Sequence, residues 1–594
     1  MPLDVGTVHG PAQARYTILP RVKRALVPLV ILGVLAAGVL AASHYRGSAG
    51  GQGGAGPRLA SALDATHTIV VLAFQLDDAP RRFAEGLAAA NELLSVAPEA
   101  AKLRDPQGRK TLLGFDPGSA EGWRSIGLGP ELEGGVVVDA RLVTRKGQER
   151  TVVPALLLRV ADRERLRVWA EARAGSRIEL GPGAVASVKV RERLGLLCTR
   201  GAYLALIAPD LDEAAQAELR PGFEAFCAGA GPPLAGAADF HGALADAPAG
   251  AQPILGACYV QLAAAAPLLD RLPEAPPQVR QALDYYRARF PALASFVTPT
   301  RTGFRLTTTP EGAKLLAQLF PRDKNRTTFS QLLPTKGWAA YRFSLHLPTL
   351  WEGLAQLVPP GVGVDPARVL EARSQLGEHL GVSWDELQSA FAGQAMLAVD
   401  LTTVMQAGMA GPGALGWIVA LSARDRARLD GLVPRILEHL AKHGEPAAEP
   451  LTVRGRKGYK LVIEGLTIVI AREQDLLLFA PSQSALEVAL ERPTAETLRG
   501  APLSDALDGD VVFGQLMDTS PLVALARMAP GASMLLGAGA FAALEKEPML
   551  AYALRVDERG LAYVGGGPGA FAGLWASFVA GGVAAFLRTQ TPGE

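Results

Sequence analysis

The sequence has few cysteines and almost no net charge, and each scarcity excludes a class of protein. Only Cys198, Cys227 and Cys258 occur among 594 residues, which excludes a small domain held together by disulfides. One bridge with one free thiol is an open alternative, but we favour three buried, small hydrophobic side chains. The 59 basic residues are balanced by 58 acidic ones, so we expect no nucleic-acid partner.

Motifs for catalysis and cofactor binding are also missing. The chain has no GxSxG nucleophile motif and no Rossmann fingerprint. Gly108–Thr111 (GRKT) resembles the end of a phosphate-binding loop, but Arg104 and Arg109 stand where glycines are required, so we interpret it as a surface turn. Gly455–Gly458 (GRKG) is a basic turn before a predicted strand. We predict no catalytic residues and no cofactor, and hence a protein that is not an enzyme.

Two residue pairs have the spacing or position of functional sites. His439 and His443 are four residues apart on a predicted helix, so they share a face on which a metal is able to bind. The metalloprotease pattern needs glutamate where Leu440 stands, and we interpret the pair as a solvated helix end. Asp139 and Asp400 end corresponding strands, where we favour local turn bonds over a paired acid–base site. No metal site is predicted.

Two long uncharged runs are present. Residues 25–43 follow a basic cluster, which predicts a transmembrane helix with residues 1–24 as a cytoplasmic tail. A cleaved signal peptide is the alternative, although the run exceeds the usual length of one. Residues 566–588, followed by a tail at 589–594, form a possible second transmembrane helix, with a core helix as the alternative. The expected partner is therefore the lipid bilayer, and the expected location is the bacterial inner membrane with a periplasmic main domain.

Between these runs the sequence repeats itself. After a Gly-rich linker at 44–58, a series of strand and helix landmarks in 59–332 recurs in the same order in 333–565. A strand that opens a charged helix carries DRERL in the first copy and DRARL in the second. Two strand–turn–strand segments, Leu196–Pro209 and Ile468–Pro481, both end in Ala-Pro. We interpret the two segments as two copies of one domain.

The same landmarks predict the fold class. Short apolar runs bounded by Gly, Pro or Asp predict strands, and charged amphipathic runs such as Asp425 to His443 predict helices. Hairpins such as Ile468 to Phe479 require antiparallel pairing. We therefore predict an α+β fold with two duplicated domains, each an antiparallel sheet with helices on one face.

Two stretches of the second copy carry a resemblance to known proteins. Gly381–Leu387 (GVSWDEL) and Asp475–Leu486 (DLLLFAPSQSAL) resemble a broad, uncharacterised family of bacterial membrane-anchored envelope proteins. The resemblance implies repeated α+β units outside the cytoplasm. It implies no catalytic residues, because none are known for such proteins.

The most unusual stretch is Leu401–Leu415 (LTTVMQAGMAGPGAL), since the corresponding connection at Arg141–Thr151 is charged. An exposed apolar loop with methionines indicates a contact surface, and a loop folded onto its own domain is equally open. We hypothesise a non-catalytic envelope protein that acts through contacts with a partner protein or surface. The alternatives are a carrier or sensor of an apolar ligand between the copies and, third, a hydrolase.

Overall fold

A computed structural model describes much of the chain between residues 55 and 566. The described residues are 55–76, 78–81, 105–113, 115–146, 149–175, 177–181, 183–190, 193–207, 213–238, 240, 256–262, 264, 277–297, 301–321, 327–359, 365–403, 415–463, 466–492, 496–499, 504–521, 523–524 and 549–566. Among the helices in these ranges, none combines the length and the apolar character needed to cross a membrane. The predicted spans at 25–43 and 566–588 lie outside the described residues, except that Gly566 ends a strand.

The described chain is built mainly of strands. The strands are β1 (Thr68–Leu76), β2 (Leu132–Asp139), β3 (Val143–Lys146), β4 (Glu149–Val152), β5 (Ala155–Arg159), β6 (Ala186–Val190), β7 (Arg193–Arg200), β8 (Tyr203–Ile207), β9 (Gly256–Gln261), β10 (Ala292–Val297), β11 (Arg301–Thr307), β12 (Trp338–Ser344), β13 (Phe391–Asp400), β14 (Trp417–Ala423), β15 (Glu449–Val453), β16 (Arg456–Ile463), β17 (Leu466–Glu473), β18 (Leu476–Ala480), β19 (Phe513–Asp518), β20 (Met549–Asp557) and β21 (Gly560–Gly566). The helices are α1 (Ala55–Ser61), α2 (Pro106–Leu113), α3 (Ala120–Ser125), α4 (Arg163–Ala174), α5 (Glu213–Ala228), α6 (Pro277–Arg287), α7 (Pro310–Leu319), α8 (Leu350–Leu357), α9 (Pro366–Leu380), α10 (Trp384–Ala390), α11 (Arg426–Lys442), α12 (Gln483–Glu491) and α13 (Asp505–Asp508).

Apart from the β3–β4 hairpin, the described strands form one antiparallel sheet. The first half of the sheet (residues 68–307) has the order β6-β7-β8-β5-β2-β1-β9-β10-β11. The second half (residues 338–566) has the order β16-β17-β18-β14-β13-β12-β19-β20-β21, with β15 added outside β16. The same strand order therefore occurs in both halves.

The predicted fold class, α+β with two duplicated domains that each have helices on one face of a sheet, is wrong. The last strands of the halves, β11 and β21, pair from Arg301–Gly566 to Thr307–Gly560, so the chain forms one sheet. Sequence patterns predict which residues form strands and which face is buried, but they carry no local signal for which sheet edges meet. An exposed edge has unpaired backbone donors and acceptors, and here each edge satisfies the other.

Helices cover both faces of the sheet. In the first half, α1 and α5 bury Leu59 and Phe223 with Val71 on one face. On the opposite face, Trp123 of α3 and Trp169 of α4 pack around another cluster. In the second half, α12 and α13 contribute to one core cluster and α10 and α11 to another. Each large side chain buried in this way stabilises the fold by about 1.5–3 kcal/mol.

The chain contains a disulfide, which corrects the interpretation of three buried thiols. Cys198 of β7 is bonded to Cys227 of α5, and their Cα atoms are 6.3 Å apart. Cys258, in β9, is free. The sequence spacing gave no sign of this pair, because strand and helix are brought together only when α5 packs back on the sheet.

The outer edge strand of the second half, β15, has a residue and a turn that suit an edge position. Pro450 lies in β15, where a missing N–H costs no ladder bond on the solvent side. The β15–β16 hairpin turns at Arg454 and Gly455, with φ of 51° and 74°, as two-residue hairpins require. The predicted basic turn at Gly455–Gly458 thus begins one residue earlier, and the strand starts at Arg456.

Candidate functional site

The candidate site is a cleft of about 470 Å³ between α12 and the ends of β12, β13 and β14. Trp338 and Ile418 lie on the sheet side of the cleft, and Ala485 and Val488 of α12 lie opposite. The Val488 side chain is 59% exposed, although it belongs to a helix that buries its other face in the core. An exposed apolar wall opposite an aromatic floor is typical of a binding site.

The strand ends fix the position of Trp338. Trp338 faces Asp400 in the β12–β13 ladder. The preceding Gly337 has φ +86°, and a Cβ there would lie 2.9 Å from Cγ2 of Thr402. Its N–H donates to Oδ2 of the buried Asp518 at 2.8 Å. The tight turn needs glycine at this position, and it holds the first residue of β12 at the floor of the cleft.

Asp400 contributes a carboxylate to the rim of the cleft. Its Oδ1 accepts hydrogen bonds from the backbone N–H of Thr402 at 2.9 Å and from the Thr402 hydroxyl at 2.6 Å. The Thr403 hydroxyl donates to the Asp400 carbonyl at 2.8 Å. These contacts confirm the prediction of a local turn at this aspartate. No hydrogen bond from the described residues reaches Oδ2.

Two cations complete the rim. Arg492, at the end of α12, donates from Nη1 to the Leu332 carbonyl at 3.3 Å. Burial lowers the pKa of Arg492, and the charges of Glu496 and Asp400 oppose that shift. Lys336 is exposed and also lines the cleft. The site therefore has an apolar floor and wall with charges of both signs at its edge.

In the first half, the position that corresponds to the cleft is occupied by an arginine side chain and a longer helix of the same chain. There, Asp139 accepts from Nε and Nη2 of Arg141 at 2.8 and 2.7 Å, and from the Arg141 backbone N–H at 3.0 Å. These bonds confirm the predicted turn at Asp139. α5, with 16 residues against 9 in α12, packs so closely that a Cβ on Gly222 would lie 2.2 Å from the Arg141 carbonyl oxygen.

The lining of the cleft combines apolar side chains with one carboxylate and two cations. The described residues that line it include no histidine and no cysteine. Its carboxylate, Asp400, has one oxygen engaged in a turn.

The predicted histidine pair lies at a helix end, as expected. His439 is in the last turn of α11 and His443 is its C-cap residue. The His439 ring bonds the Glu378 carbonyl at 3.1 Å, and the His443 ring bonds the His439 carbonyl at 2.8 Å. No group of three or more potential metal ligands occurs in the part of the chain that the structure describes.

Two other predicted features have different outcomes. The Gly108–Thr111 stretch lies within helix α2, so its interpretation as a surface turn is wrong. The physical reason is a cap: Asp105 Oδ1 accepts from the Gly108 N–H at 2.7 Å and satisfies a donor of the first helical turn. The apolar Leu401–Leu415 loop borders the cleft through Thr402, but residues 404–414, with Met405 and Met409, lie outside the described residues.

Sequence reasoning did not single out Trp338 or Arg492. The available signal was a difference between the copies at matching places. Thr68 faces Asp139 in the first half, whereas Trp338 faces Asp400 in the second. A large aromatic residue in place of threonine, at a strand end, marks a position with a changed role.

In comparisons with known proteins, no family model, no curated protein and no solved structure matches this chain.

Proposed function

We propose that the chain is a non-catalytic binding protein of the cell envelope, and that the cleft beside α12 receives a peptide segment of a partner protein. The contrast between Asp139 and Asp400 carries the proposal. The first aspartate is neutralised by Arg141 of its own chain. At the second, Thr402 supplies only neutral donors, so one carboxylate oxygen is left for a ligand cation.

The chemistry of the site defines the partner segment. An arginine or lysine of the segment takes the position at Asp400 that Arg141 takes at Asp139, as a charge-assisted hydrogen bond. A neighbouring apolar side chain packs on Trp338 and Val488, and an acidic group or a chain terminus pairs with Arg492 and Lys336. An aromatic floor with charges at its rim has the composition of a protein-binding hot spot.

The disulfide supports a location outside the cytoplasm. Cys198 and Cys227 are bonded, and structural disulfides persist in oxidising compartments such as the bacterial periplasm. We favour this function over the rival one, a carrier that holds an apolar ligand between the two halves. β11 and β21 pair directly along their length, and the halves meet as one sheet.

Site-specific photo-crosslinking in intact cells tests the proposal. A photoreactive amino acid replaces Val488, which is 59% exposed at the cleft, and the matched control replaces Val168, which is 54% exposed on α4 of the first half. We expect one discrete protein adduct from position 488 and none of that mass from position 168. Equal labelling at both positions, or none at 488, contradicts the proposal.

Two substitutions show whether the adduct depends on cleft chemistry. Asp400→Asn keeps an oxygen for the Thr402 donors but removes the charge, and Trp338→Leu removes the aromatic floor. Each is expected to reduce the adduct from position 488 at least several-fold. Asp425→Asn changes the N-cap of α11, which follows the end of β14 that does not line the cleft. This variant serves as the control and should leave the adduct intact.

A further inference from the structure

The two halves of the sheet end differently on their outer sides. In the second half, β16 pairs with β17 on one side and with β15 on the other. In the first half, the strand at the same place in the order is β6, which pairs with β7. No other strand in the part of the chain that the structure describes pairs with β6. The first half is therefore one strand narrower, and β6 is its edge strand.

Comparison with β16 defines the position beside β6. Val190 and Ile463 each close a hairpin with the next strand, and Ser187 and Lys460 each lie three residues earlier. These two residues are therefore equivalent. Lys460 faces Glu449 of β15 in the ladder, and their side chains form an ion pair at 3.2 Å. The position opposite Ser187 thus corresponds to one that an acidic strand residue fills in the second half.

Alternate backbone groups of β6 point out of the sheet. Val190 and Arg193 close a two-residue turn, and the closing pair of such a hairpin exchanges its backbone hydrogen bonds. Alternation along the strand then directs the backbone groups of Ser187 and Lys189 away from β7. Among the described residues, no acceptor outside the β6–β7 ladder is bonded to the N–H of either residue. Such unpaired groups are a template for a further strand.

Arg220 of α5 places a cation at this edge. Its Nη1 donates to the Val185 carbonyl at 3.1 Å, and its Nη2 donates to the Ser187 hydroxyl at 2.8 Å. The side chain is 39% exposed, and its Nη1 lies 3.9 Å from Oε1 of Glu224, too far for a hydrogen bond. Because a guanidinium has five N–H donors, Arg220 is able to bind a carboxylate at the edge as well. The first half thus has a cation beside the open position, as the second half has Lys460 beside Glu449.

The segment that connects α4 to β6 does not take the place of β15. Its described residues form no strand. The N–H of Ile178 donates to Oε1 of Glu171 in α4 at 3.3 Å, and its side chain is buried in a cluster with Leu166 of α4 and Val188 of β6. These contacts hold the segment against α4, on the face of the sheet opposite to α5 and Arg220.

The two outer edges also differ in how they are protected. β15 carries Pro450, which has no N–H to offer to a further strand, and proline is one of the residues with which native sheets block their edges. β6 has no proline. A second copy of the chain, paired antiparallel through its own β6, would bring two Arg220 side chains to the same face, where like charges are destabilising. An acidic strand has the complementary charge.

We propose that β6 binds an extended acidic segment of another protein as an additional antiparallel strand. The backbone of the segment bonds to Ser187 and Lys189, and a glutamate or aspartate side chain pairs with Arg220 as Glu449 pairs with Lys460. In strand addition of this kind, main-chain bonds give affinity and alternate side chains give specificity. This surface is separate from the cleft beside α12, which lies in the second half.

Fluorescence anisotropy with the purified full-length chain tests this proposal. The probe is a short labelled peptide of alternating threonine and glutamate, which as a strand presents every glutamate on one face. The same peptide with lysine in place of glutamate is the charge control. In the β15–β16 ladder, the residue that faces Lys460 in the bonded position is Glu449, so the glutamates of the probe are the residues that bond to β6. Methylation of each glutamate N–H therefore blocks pairing, and methylation of each threonine N–H, which points away, is the matched control.

We expect the acidic peptide to bind about tenfold more tightly than the lysine peptide, and to lose binding only when its glutamate N–H groups are methylated. Lys189→Pro removes an outward N–H of β6 and should abolish binding, because the edge is then blocked as Pro450 blocks β15. Thr452→Pro, at an outward position of β15, should leave binding unchanged. Arg220→Gln should bind the acidic and lysine peptides alike.

Three results overturn the proposal: no binding of the acidic peptide, equal binding of both peptides to the wild-type chain, or unchanged binding by the Lys189→Pro chain. The methylated peptides are tested on the wild-type chain, so that result does not depend on the folding of a variant. Sedimentation of the peptide-free chain tests the other occupant. A dimer that Lys189→Pro converts to a monomer would show that a second copy covers the edge, and it would refute the proposal.

Discussion

The Cys198–Cys227 bond stabilises the fold by an amount that follows from the positions of its two cysteines in the chain. The bond joins residues with a sequence separation of 29. In the chain-entropy treatment, closing a loop of that length stabilises the fold by about 3–4 kcal/mol at 25 °C. Both sulfurs are buried in the core cluster that holds α5 against the sheet. Breaking the bond should therefore loosen the contact between β7 and α5 first.

Hydrogen exchange of the reduced and oxidised protein measures this increment. The wild-type chain is reduced in denaturant, refolded with reductant, and compared with the oxidised chain, which has the same side chains in every position. We expect amides of β7 and α5 to exchange two to three powers of ten faster, since about 1.4 kcal/mol corresponds to a factor of ten. Amides of β17 and β18, in the second half, should be unaffected.

The double variant Cys198→Ala/Cys227→Ala is the control, and its exchange should not respond to reductant. If the reduced and oxidised wild-type chains show the same protection over β7 and α5, the bond does not restrain this contact and the estimate is refuted. A loss of protection spread equally over both halves would show instead that the whole sheet unfolds as one unit.

Two further predictions concern acidic side chains and caps. Asp557→Asn should lower stability at pH 7 by about 1–2 kcal/mol, because Arg305, which is 2% exposed, loses one of its two 2.7 Å bonds and the negative charge of a half-exposed carboxylate. Burial raises the pKa of Asp557, but hydrogen bonds from Arg305 and from the Arg559 N–H hold that pKa below 3.8. The contribution of this group to wild-type stability is therefore present above pH 3.8 and lost below it. Urea unfolding of the Asn variant should lack that loss of stability in acid. Ser383→Ala removes the capping box of α10 and should cost about 1 kcal/mol, while Ser389→Ala on the same helix should cost less in the same assay.

Local chemistry was predictable from the sequence where the deciding contacts are close in the chain. The helix predicted from Asp425 to His443 is α11, and the Ile468 to Phe479 hairpin is antiparallel, as predicted, because helix ends and turns depend on residues a few positions apart. The pairing of β11 with β21 was not predictable, since any two exposed edges satisfy the same backbone groups. The disulfide and the cleft were not predicted for a related reason. Both depend on how far a helix, α5 or α12, extends over the sheet.

An arginine side chain pairs with the strand-end aspartate in the first half but not in the second, and this difference leads to the last prediction. Asp139 and Asp400 end corresponding strands, and in each case the N–H two residues later donates to Oδ1, at 3.0 Å from Arg141 and 2.9 Å from Thr402. The backbone of the second turn is therefore already arranged as in the first. What differs is the side chain, a guanidinium that pairs with the aspartate in one half and a hydroxyl in the other.

Thr402→Arg should supply Asp400 with the partner that Asp139 has in Arg141. We expect a gain in stability of about 0.5–1 kcal/mol, the usual value for a partly exposed ion pair, measured by urea unfolding. The same guanidinium would occupy the cation position at the cleft, so the partner adduct from a photoreactive residue at Val488 should disappear. Thr402→Met, of similar length without charge, controls for bulk and should retain part of the adduct and gain no stability. A Thr402→Arg chain that is stabilised and still yields the full adduct would show that the partner does not bind through Asp400, since the cation position would then be filled while binding continued.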